Sequence, residues 1–161
     1  MSEKDRQQGK RARIAGLARE LMLLGRHGVL KYPHGEAPAP DARLERSAYL
    51  LLSRIEREGP LSIGQLADAF GLDTSTVNRQ TAAMLRAGLA ERIPDPDGGV
   101  ARKLRITAEG ERRMRAYGAW VLDGLDDLLA DWTPEEVTAF CNALVRFNEA
   151  IEHKEERPWP R

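Results

Sequence analysis

Two short helical segments separated by a tight turn lie within residues 61–88, and their spacing constrains the fold more than any other feature of the sequence. Ser62 and Gln65 have the spacing of a capping box, in which each side chain accepts a hydrogen bond from a free backbone N–H of the other residue. The first helix is expected to end at Gly71, and Asp73 is expected to cap the second. Because two short helices joined by a glycine-bearing turn are typical of one motif, this segment is predicted to be a helix-turn-helix.

The hydrophobic spacing within each of these helices predicts one buried face. The side chains expected to point inward are Ile63, Leu66, Ala67 and Phe70 in the first helix and Val77, Thr81 and Met84 in the second. Gly88 has the position of a glycine that ends the second helix. The opposite face of the second helix, which carries short polar side chains and alanines, is therefore expected to be exposed.

The hydrophobic period changes after the second helix. Residues 89–93, "LAERI", and residues 101–106, "ARKLRI", alternate as strands do, with Leu104 and Ile106 on one face. The turn-forming stretch "PDPDGGV", residues 94–100, lies between them and predicts a hairpin with a moderately long tip. A hairpin directly after the second helix extends the prediction to a winged helix-turn-helix.

Helical periodicity predicts four further helices around this motif. Their apolar side chains are Ile14, Leu17, Ala18, Leu21 and Leu24 in the first; Leu44, Ala48, Leu51, Leu52 and Ile55 in the second; Met114, Tyr117, Val121, Leu125 and Leu128 in the third; and Val137, Phe140, Cys141, Leu144 and Ile151 in the last. Asp41 and Thr107 are expected to cap the second and third of these helices. Gly59 is expected to end the second, and Thr133 forms a capping box with Glu136 at the start of the last.

The composition excludes several classes of protein. The 42% of hydrophobic and 31% of charged residues are typical of a soluble globular protein, and no apolar run approaches the roughly 20 residues of a membrane span. The charged N-terminus lacks the apolar stretch of a secretory signal, and the single cysteine excludes an internal disulfide framework. A cytoplasmic protein with no membrane partner is therefore expected. The net charge is zero, but acidic residues concentrate in residues 107–161, so a local positive face is allowed elsewhere.

The stretch "LSIGQLADAFGLDTSTVNRQTAAMLRAGLAERIPDPDGGVARKLRITAEG" resembles the MarR family of bacterial transcription regulators. The elements "STVNR", "LRAGL", "DPDG" and "LRITAEG" stand in the family's order and spacing, and the resemblance covers about residues 10–153. It implies a homodimer whose first and last helices interlock, with one winged domain per subunit on palindromic double-stranded DNA. Many members of the family are repressors that small phenolic or other lipophilic molecules release.

The resemblance implies a division of the chain into three regions. Residues 1–40 would form an N-terminal dimerisation helix and linker, residues 41–106 a winged helix-turn-helix DNA-binding domain, and residues 107–161 the C-terminal dimerisation helices and a tail. The last residues, "EERPWPR", are expected to be frayed. The implied function is sequence-specific transcriptional regulation as a repressor, with neither enzymatic activity nor a cofactor. The alternative is a protein–protein adaptor or anti-repressor whose winged helix does not bind DNA.

Short side chains at the start of the second helix of the motif predict a close approach to base edges. The residues predicted to contact DNA are Thr74, Ser75, Thr76, Asn78, Arg79, Arg102 and Lys103. Arg79 can pair with guanine and Asn78 with adenine, and each such pair gives about 1–3 kcal/mol of discrimination. Ser75, Thr76 and the free N–H groups of the helix suit phosphate oxygens.

The predicted wing tip departs from the family pattern. The family usually has arginines after the Asp-Pro-Asp, where residues 98–100 are Gly-Gly-Val. Arg102 and Lys103 are the nearest substitutes, and the alternative is that both are solvated strand residues. Leu85 stands where the family often has Glu, and it is expected either to pack inward or to make an apolar contact at the surface. The altered tip keeps the adaptor alternative open.

The apolar stripe of the last helix predicts a partner. It exposes Phe140, Leu144, Phe147 and Ile151, which is more apolar surface than a lone terminal helix is expected to carry. Dimerisation would bury this stripe, and the two-fold symmetry would match a palindromic site. The alternative is core packing within one chain.

Other candidate sites receive simpler interpretations. His27, His34 and His153 lack the spacing of metal ligands, so no metal site is predicted. Cys141 lies on an apolar stripe and is expected to be a buried small hydrophobe, with a redox sensor as the alternative. The resemblance places an effector pocket near residues 25–35, where Tyr32 and the first two of these histidines lie, but the ligand-binding residues remain unknown. Asp126 and Asp127 are predicted to lie on a solvated helix face.

Overall fold

The computed structural model of the protein describes residues 3–26, 38–40 and 42–161. The expectations for Asp41 as a helix cap and for His27, Tyr32 and His34 concern residues outside these described ranges. Among the described helices, none is both long enough and apolar enough to cross a membrane.

The chain divides into two compact units, residues 1–36 and residues 37–161. The first unit contains helix α1, Glu3–Arg26, which confirms the predicted N-terminal helix. Its apolar side chains are exposed, with Ile14 and Leu17 about half accessible to solvent.

The second unit is mainly helical with a small antiparallel sheet. Its elements are α2 (Arg46–Glu58), β1 (Leu61–Ser62), α3 (Ile63–Phe70), α4 (Thr74–Arg86), β2 (Ala90–Ile93), β3 (Lys103–Ile106), α5 (Ala108–Leu128) and α6 (Pro134–Glu155). The helix-turn-helix is α3 and α4, and the wing is the hairpin of β2 and β3. The predicted mainly α-helical winged fold is therefore confirmed.

The sheet contains one strand more than the sequence predicts. Its order is β1-β3-β2, with both neighbouring pairs antiparallel. In the two-residue strand β1, Leu61 stands opposite Leu104, and both side chains are buried. The extra strand ties the start of α3 to the β3 side of the wing, and β2 remains the edge strand of the sheet.

Most of the predicted local signals at the helix ends are confirmed. Both capping boxes form, with Ser62 and Gln65 at α3 and with Thr133 and Glu136 at α6. The Thr107 hydroxyl accepts a hydrogen bond from the N–H of Gly110 at the start of α5. The helix-ending glycines behave as predicted, and the three concerned, Gly59, Gly71 and Gly88, all have positive φ.

The core of the second unit lies beneath the helix-turn-helix. Its largest fully buried side chains are Leu51, Leu52, Ile55, Leu66, Val77, Thr81, Met84 and Leu104. Thr81 is a polar member, and its hydroxyl is satisfied because it donates to the Val77 carbonyl at 2.8 Å. Leu85 is partly buried and packs against this core, as one of its two predicted alternatives requires. Helix α4 is therefore anchored to the core through one face, which leaves its other face exposed to solvent.

Three expectations about the chain need correction. Helix α2 begins at Arg46, whereas the sequence suggested a start near residue 41; Leu44 is buried ahead of the helix instead of within it. Asp73 holds the N-cap position of α4, but its side chain makes no capping hydrogen bond. The C-terminal residues, expected to be frayed, fold back and contact α2 and α3, because Trp159 packs against Phe70 there.

Candidate nucleic-acid interface

The exposed face of α4 carries most of the residues predicted to contact DNA. Thr74, Ser75, Asn78 and Arg79 are exposed, and Thr76 is half-buried. The same helix buries Val77, Thr81 and Met84 on its other side. The structure therefore brings five of the seven predicted residues onto the first two turns of one helix, where short side chains leave the backbone accessible.

The start of α4 is fixed by backbone hydrogen bonds and not by the predicted side-chain cap. The Asp73 carbonyl accepts from the N–H groups of Thr76 and Val77 at 2.9 and 3.1 Å. The preceding turn is closed by a bond from the N–H of Leu72 to the Ala67 carbonyl, with Gly71 in the left-handed region. Helices α3 and α4 therefore meet at a tight turn, and the free N–H groups of the first turn of α4 remain available to an acceptor.

A groove of about 480 Å³ separates the start of α3 from the wing. Its lining residues are Ser62, Ile63, Gly64, Asn78, Arg92, Ala101, Arg102 and Leu104. Two predicted residues from distant elements, Asn78 and Arg102, thus share one groove. Arg92 is a further cation of this groove that the sequence interpretation missed, because alternation along "LAERI" places it on the same face as Ala90, opposite the buried Leu104, and yet its side chain is exposed. The groove brings the exposed Arg92 and Arg102 together with the polar side chains of Ser62 and Asn78, and such donors are the chemistry that a phosphate backbone requires.

The wing is closed by an internal ion cluster. The Lys103 ammonium lies 2.7 Å from a carboxylate oxygen of Asp95 and 2.8 Å from one of Asp97. Hydrogen bonding from this ammonium lowers the pKa of Asp95, and hydrogen bonds to the two carboxylates raise the pKa of Lys103. The side chains of Lys103 and Asp95 are only 11% and 12% accessible. Lys103 is thus held inside the wing, whereas Arg102 is exposed beside it.

The wing tip is shaped by glycines. Gly98 has a φ of 81°, in the left-handed region that glycine adopts most readily. A Cβ atom on Gly99 would collide with the carboxylate of Asp95, so glycine there permits the ion cluster to form. Val100 is fully exposed at the tip. The tip therefore has glycines in place of the family's arginines, and its charged side chains, Asp95, Asp97 and Lys103, pair with one another in a compact loop.

A second ion cluster lies at the start of α5, which follows the wing. Glu109 accepts hydrogen bonds from the guanidinium groups of Arg112 and Arg113, and each N···O distance is 2.8 Å. Hydrogen bonding to Arg112 and then to Arg113 lowers the pKa of Glu109 to about 2. Its carboxylate also lies in the first turn of the helix, where the helix dipole favours a negative charge.

The MarR family profile matches residues 44–98, the span from two residues before α2 to the wing tip. An uncharacterized HTH-type transcriptional regulator of Bacillus subtilis (strain 168), YxaD, is 36% identical over 108 residues, which are 67% of this chain and 76% of that protein. The chain belongs to the MarR family.

Solved structures of MarR-family proteins have the same fold. The transcriptional regulator PcaV from Streptomyces coelicolor, in complex with its natural ligand, superposes with a TM-score of 0.58 at 25% identity, covering 84% of this chain and 92% of PcaV. A MarR-family protein from Bacillus stearothermophilus gives a TM-score of 0.60 at 22% identity and covers 94% of this chain and 98% of its own. This MarR-family chain is accordingly a DNA-binding transcriptional regulator.

The candidate redox, metal-ligand and acidic residues that the structure describes lie on α5 and α6 and not on the face of α4. Cys141 is exposed in the single chain, so the prediction of a buried side chain is wrong for the chain alone. Within the described ranges, no cluster of His, Cys, Asp or Glu has the geometry of a metal site. His153 is exposed on α6, and Asp126 and Asp127 are exposed on α5, as a helix face in solvent would be.

Proposed function

We propose that this MarR-family regulator is a homodimeric repressor that acts in the cytoplasm by occupying a palindromic operator. The observation that carries the proposal is the exposed polar face of α4 beside the groove that contains Arg92 and Arg102. Helix α4 would enter the major groove, with Arg79 and Asn78 at base edges. Ser75, Thr74 and the groove arginines would bind phosphates, so the sequence is read by the helix while the groove sets its register.

The role proposed for Lys103 differs from that of Arg102. Because two carboxylates already neutralise its ammonium, Lys103 would release few counterions on binding DNA. We propose that Lys103 shapes the wing and that Arg102 provides the phosphate contact.

The test of base recognition is a titration of the Arg79→Ala variant with operator DNA from the protein's own promoter region and with unrelated DNA. Loss of a bidentate contact should weaken operator binding by about 10-fold to 100-fold, and binding to unrelated DNA much less. Arg115→Ala is the matched control, because it removes the same charge from an exposed site on α5. Equal losses on both DNAs would mean that Arg79 contacts only phosphate.

Dimerisation is proposed from the apolar face of α6. This helix has no buried residue in the single chain, and Phe140, Leu144, Phe147 and Ile151 are each between 37% and 46% accessible. An exposed apolar stripe of this length is typical of an interface. A two-fold dimer would present two α4 helices about 34 Å apart, or a multiple of this distance, which suits half-sites on one side of a duplex.

The dimer is tested by sedimentation at micromolar concentration. Leu144→Glu, which places a charge in the apolar face, should shift the protein from dimer to monomer. Asn142→Glu introduces the same charge about 160° away around the helix from Leu144 and should leave the dimer intact. A monomeric parent protein would contradict the proposal.

We further propose that a small molecule releases this regulator from DNA. The support is the related PcaV, which has been solved with its natural ligand. A panel of small phenolic compounds should contain members that raise the melting temperature and, at the same concentrations, reduce operator binding. Compounds that raise the melting temperature without any effect on DNA binding would argue against this mechanism.

The adaptor alternative is favoured only by the wing tip, which has Gly98, Gly99 and Val100 in place of arginines. A gel shift with and without 0.3 M added salt, a roughly threefold or larger change in ionic strength, separates the two functions. A repressor should bind its promoter DNA and lose much of this affinity in salt. An adaptor should bind at neither salt concentration.

A further inference from the structure

The C-terminal end of the chain is a structured element that the proposed function leaves without a role. At the end of α6, Glu156 has a φ of 56°, and the N–H of Arg157 donates to the Glu152 carbonyl at 3.0 Å. This turn reverses the chain direction, so residues 157–161 run back towards α2 and α3. We call these five residues the C-terminal clasp.

The centre of the clasp is Trp159. Its ring meets the ring of Phe70 edge to face, with 5.7 Å between centroids. The guanidinium of Arg54 lies over the Trp159 ring, with its central carbon 5.4 Å from the ring centroid. The same guanidinium donates to the Pro158 carbonyl at 3.0 Å and pairs with Glu58 at 2.6 Å. The clasp therefore provides an acceptor for one terminal nitrogen of Arg54, a side chain of α2 that is only 9% accessible, although the Nε of this guanidinium has no hydrogen-bond partner among the described residues.

The clasp is also tied to α6, the helix that it follows. One carboxylate, that of Glu152, accepts from the backbone N–H of Trp159 at 3.1 Å and from both terminal nitrogens of Arg161 at 2.8 Å. Hydrogen bonding from Arg161 and from this N–H lowers the pKa of Glu152. Glu152 thereby holds the clasp closed at the point where the chain leaves the helix.

The other end of the contact is the turn of the helix-turn-helix. A Cβ atom on Gly71 would collide with the guanidinium of Arg157, so this glycine gives the clasp room as well as ending α3. Phe70 is the last residue of α3, and α4 begins at Thr74. The clasp thus contacts the chain at the turn that precedes α4, the proposed recognition helix.

We propose that the C-terminal clasp is a positioning element that couples the C-terminal end of α6 to the helix-turn-helix and so sets the spacing between the two recognition helices of a dimer. This inference rests on the proposed roles of α4 in DNA binding and of α6 in dimerisation. No side chain of α6 is buried, whereas Trp159 and Pro160 at the clasp are half-buried. Without the clasp, the winged unit would have fewer restraints on its angle to the end of α6, and the dimer would tolerate a wider range of half-site separations.

The contact itself is tested without DNA. Replacing Trp120 and Trp132 by phenylalanine leaves Trp159 as the single tryptophan of the protein. Acrylamide should quench its fluorescence less efficiently than that of a synthetic peptide of residues 155–161, because Phe70 and Arg54 shield the ring. Adding Arg54→Ala should move the quenching constant towards that of the peptide. Equal quenching in the protein and the peptide would overturn the clasp.

The coupling is tested with palindromes whose half-sites are moved apart by one base pair at a time. The parent should prefer one separation by about tenfold or more, and truncation after Glu156 should reduce this preference to about threefold. Affinity for an isolated half-site should remain unchanged, because no residue proposed to contact DNA is removed. Trp159→Ala should behave as the truncation does, and Trp159→Phe should restore most of the preference.

One control variant and two contrary outcomes complete the test. Lys154→Ala changes an exposed side chain at the same end of α6 and should leave the spacing preference at the parent value. A truncated protein that keeps the parent's spacing preference would overturn the coupling. Failure of the parent to bind any DNA would overturn the proposed function instead, and the quenching of Trp159 would still decide whether the clasp forms.

Discussion

Gly110 should be among the least replaceable residues outside the DNA-binding face. It lies buried in the first turn of α5, and a Cβ atom there would fall well inside van der Waals contact of the Leu89 carbonyl oxygen and 2.8 Å from Cγ1 of Ile106. Two hydrogen bonds keep the start of α5 close to the segment that follows α4. The Thr107 N–H donates to the Leu89 carbonyl at 3.1 Å, and the Thr107 hydroxyl donates to the Gly88 carbonyl at 2.6 Å. Gly110→Ala should therefore separate α5 from the end of α4.

The expected loss is the balance of three effects. Alanine should gain about 1 kcal/mol over glycine in a helix. Overpacking against a backbone carbonyl should cost about 2 kcal/mol, and weakening the two hydrogen bonds about 1 kcal/mol each. The net loss is about 3 kcal/mol, so the steric term outweighs the helix propensity.

Gly118→Ala provides a matched control on the same helix. Its Cβ atom would meet only the Tyr49 hydroxyl, at 4.0 Å, which is ordinary contact. This variant should gain up to about 1 kcal/mol. Thermal unfolding at one fixed protomer concentration should separate the two variants by about 10 °C, with Gly110→Ala the less stable. Equal melting temperatures for both variants would refute the steric argument.

Three further predictions concern the ion clusters and the wing. The folded-state pKa of Glu109, about 2 against an ordinary 4.5, means that its pairing stabilises the fold above pH 4.5 and that this contribution is lost as the pH falls towards 2. Urea unfolding should accordingly show Glu109→Gln less stable than the parent at pH 6, with the gap closing between pH 4.5 and 2. Arg102→Ala should reduce the slope of log affinity against log salt by about 1, and Lys103→Ala by clearly less, in filter-binding titrations; the reverse order would place Lys103 at the phosphates. Gly99→Ala should break the pairing of Asp95 with Lys103 and speed tryptic cleavage of the wing, and an unchanged digestion rate would count against the ion cluster as its restraint.

Much of the fold could be predicted from the sequence because its signals are local. The capping box of Ser62 and Gln65 links residues three apart, and Gly71 and Gly88 end helices through their own backbone freedom. The exposed face of α4 follows from helical periodicity, so the candidate DNA-contact residues on it could be named without a structure. These interactions form within one or two turns and do not depend on the rest of the chain.

The different environments of Arg102 and Lys103 in the wing could not be predicted from local sequence signals. Lys103 and Arg102 are neighbours in the sequence and look equally suited to phosphate contact. The folded hairpin brings Asp95 and Asp97 back onto Lys103 and leaves Arg102 exposed. Composition and alternation could not distinguish the two cations, because the difference arises from a loop conformation that glycine at position 99 permits.

The helix-turn-helix, the hairpin that follows it and the polar face of α4 are predictable from the amino-acid pattern alone, because they depend on contacts between residues close in the chain. Two features emerge only in the folded chain: the pairing of Leu61 with Leu104, and the return of the C-terminal residues to Arg54, which lies 104 positions before Pro158. Such distant contacts carry no periodic signal in the sequence. These contacts stabilise the protein only after folding of the core has brought the partners together.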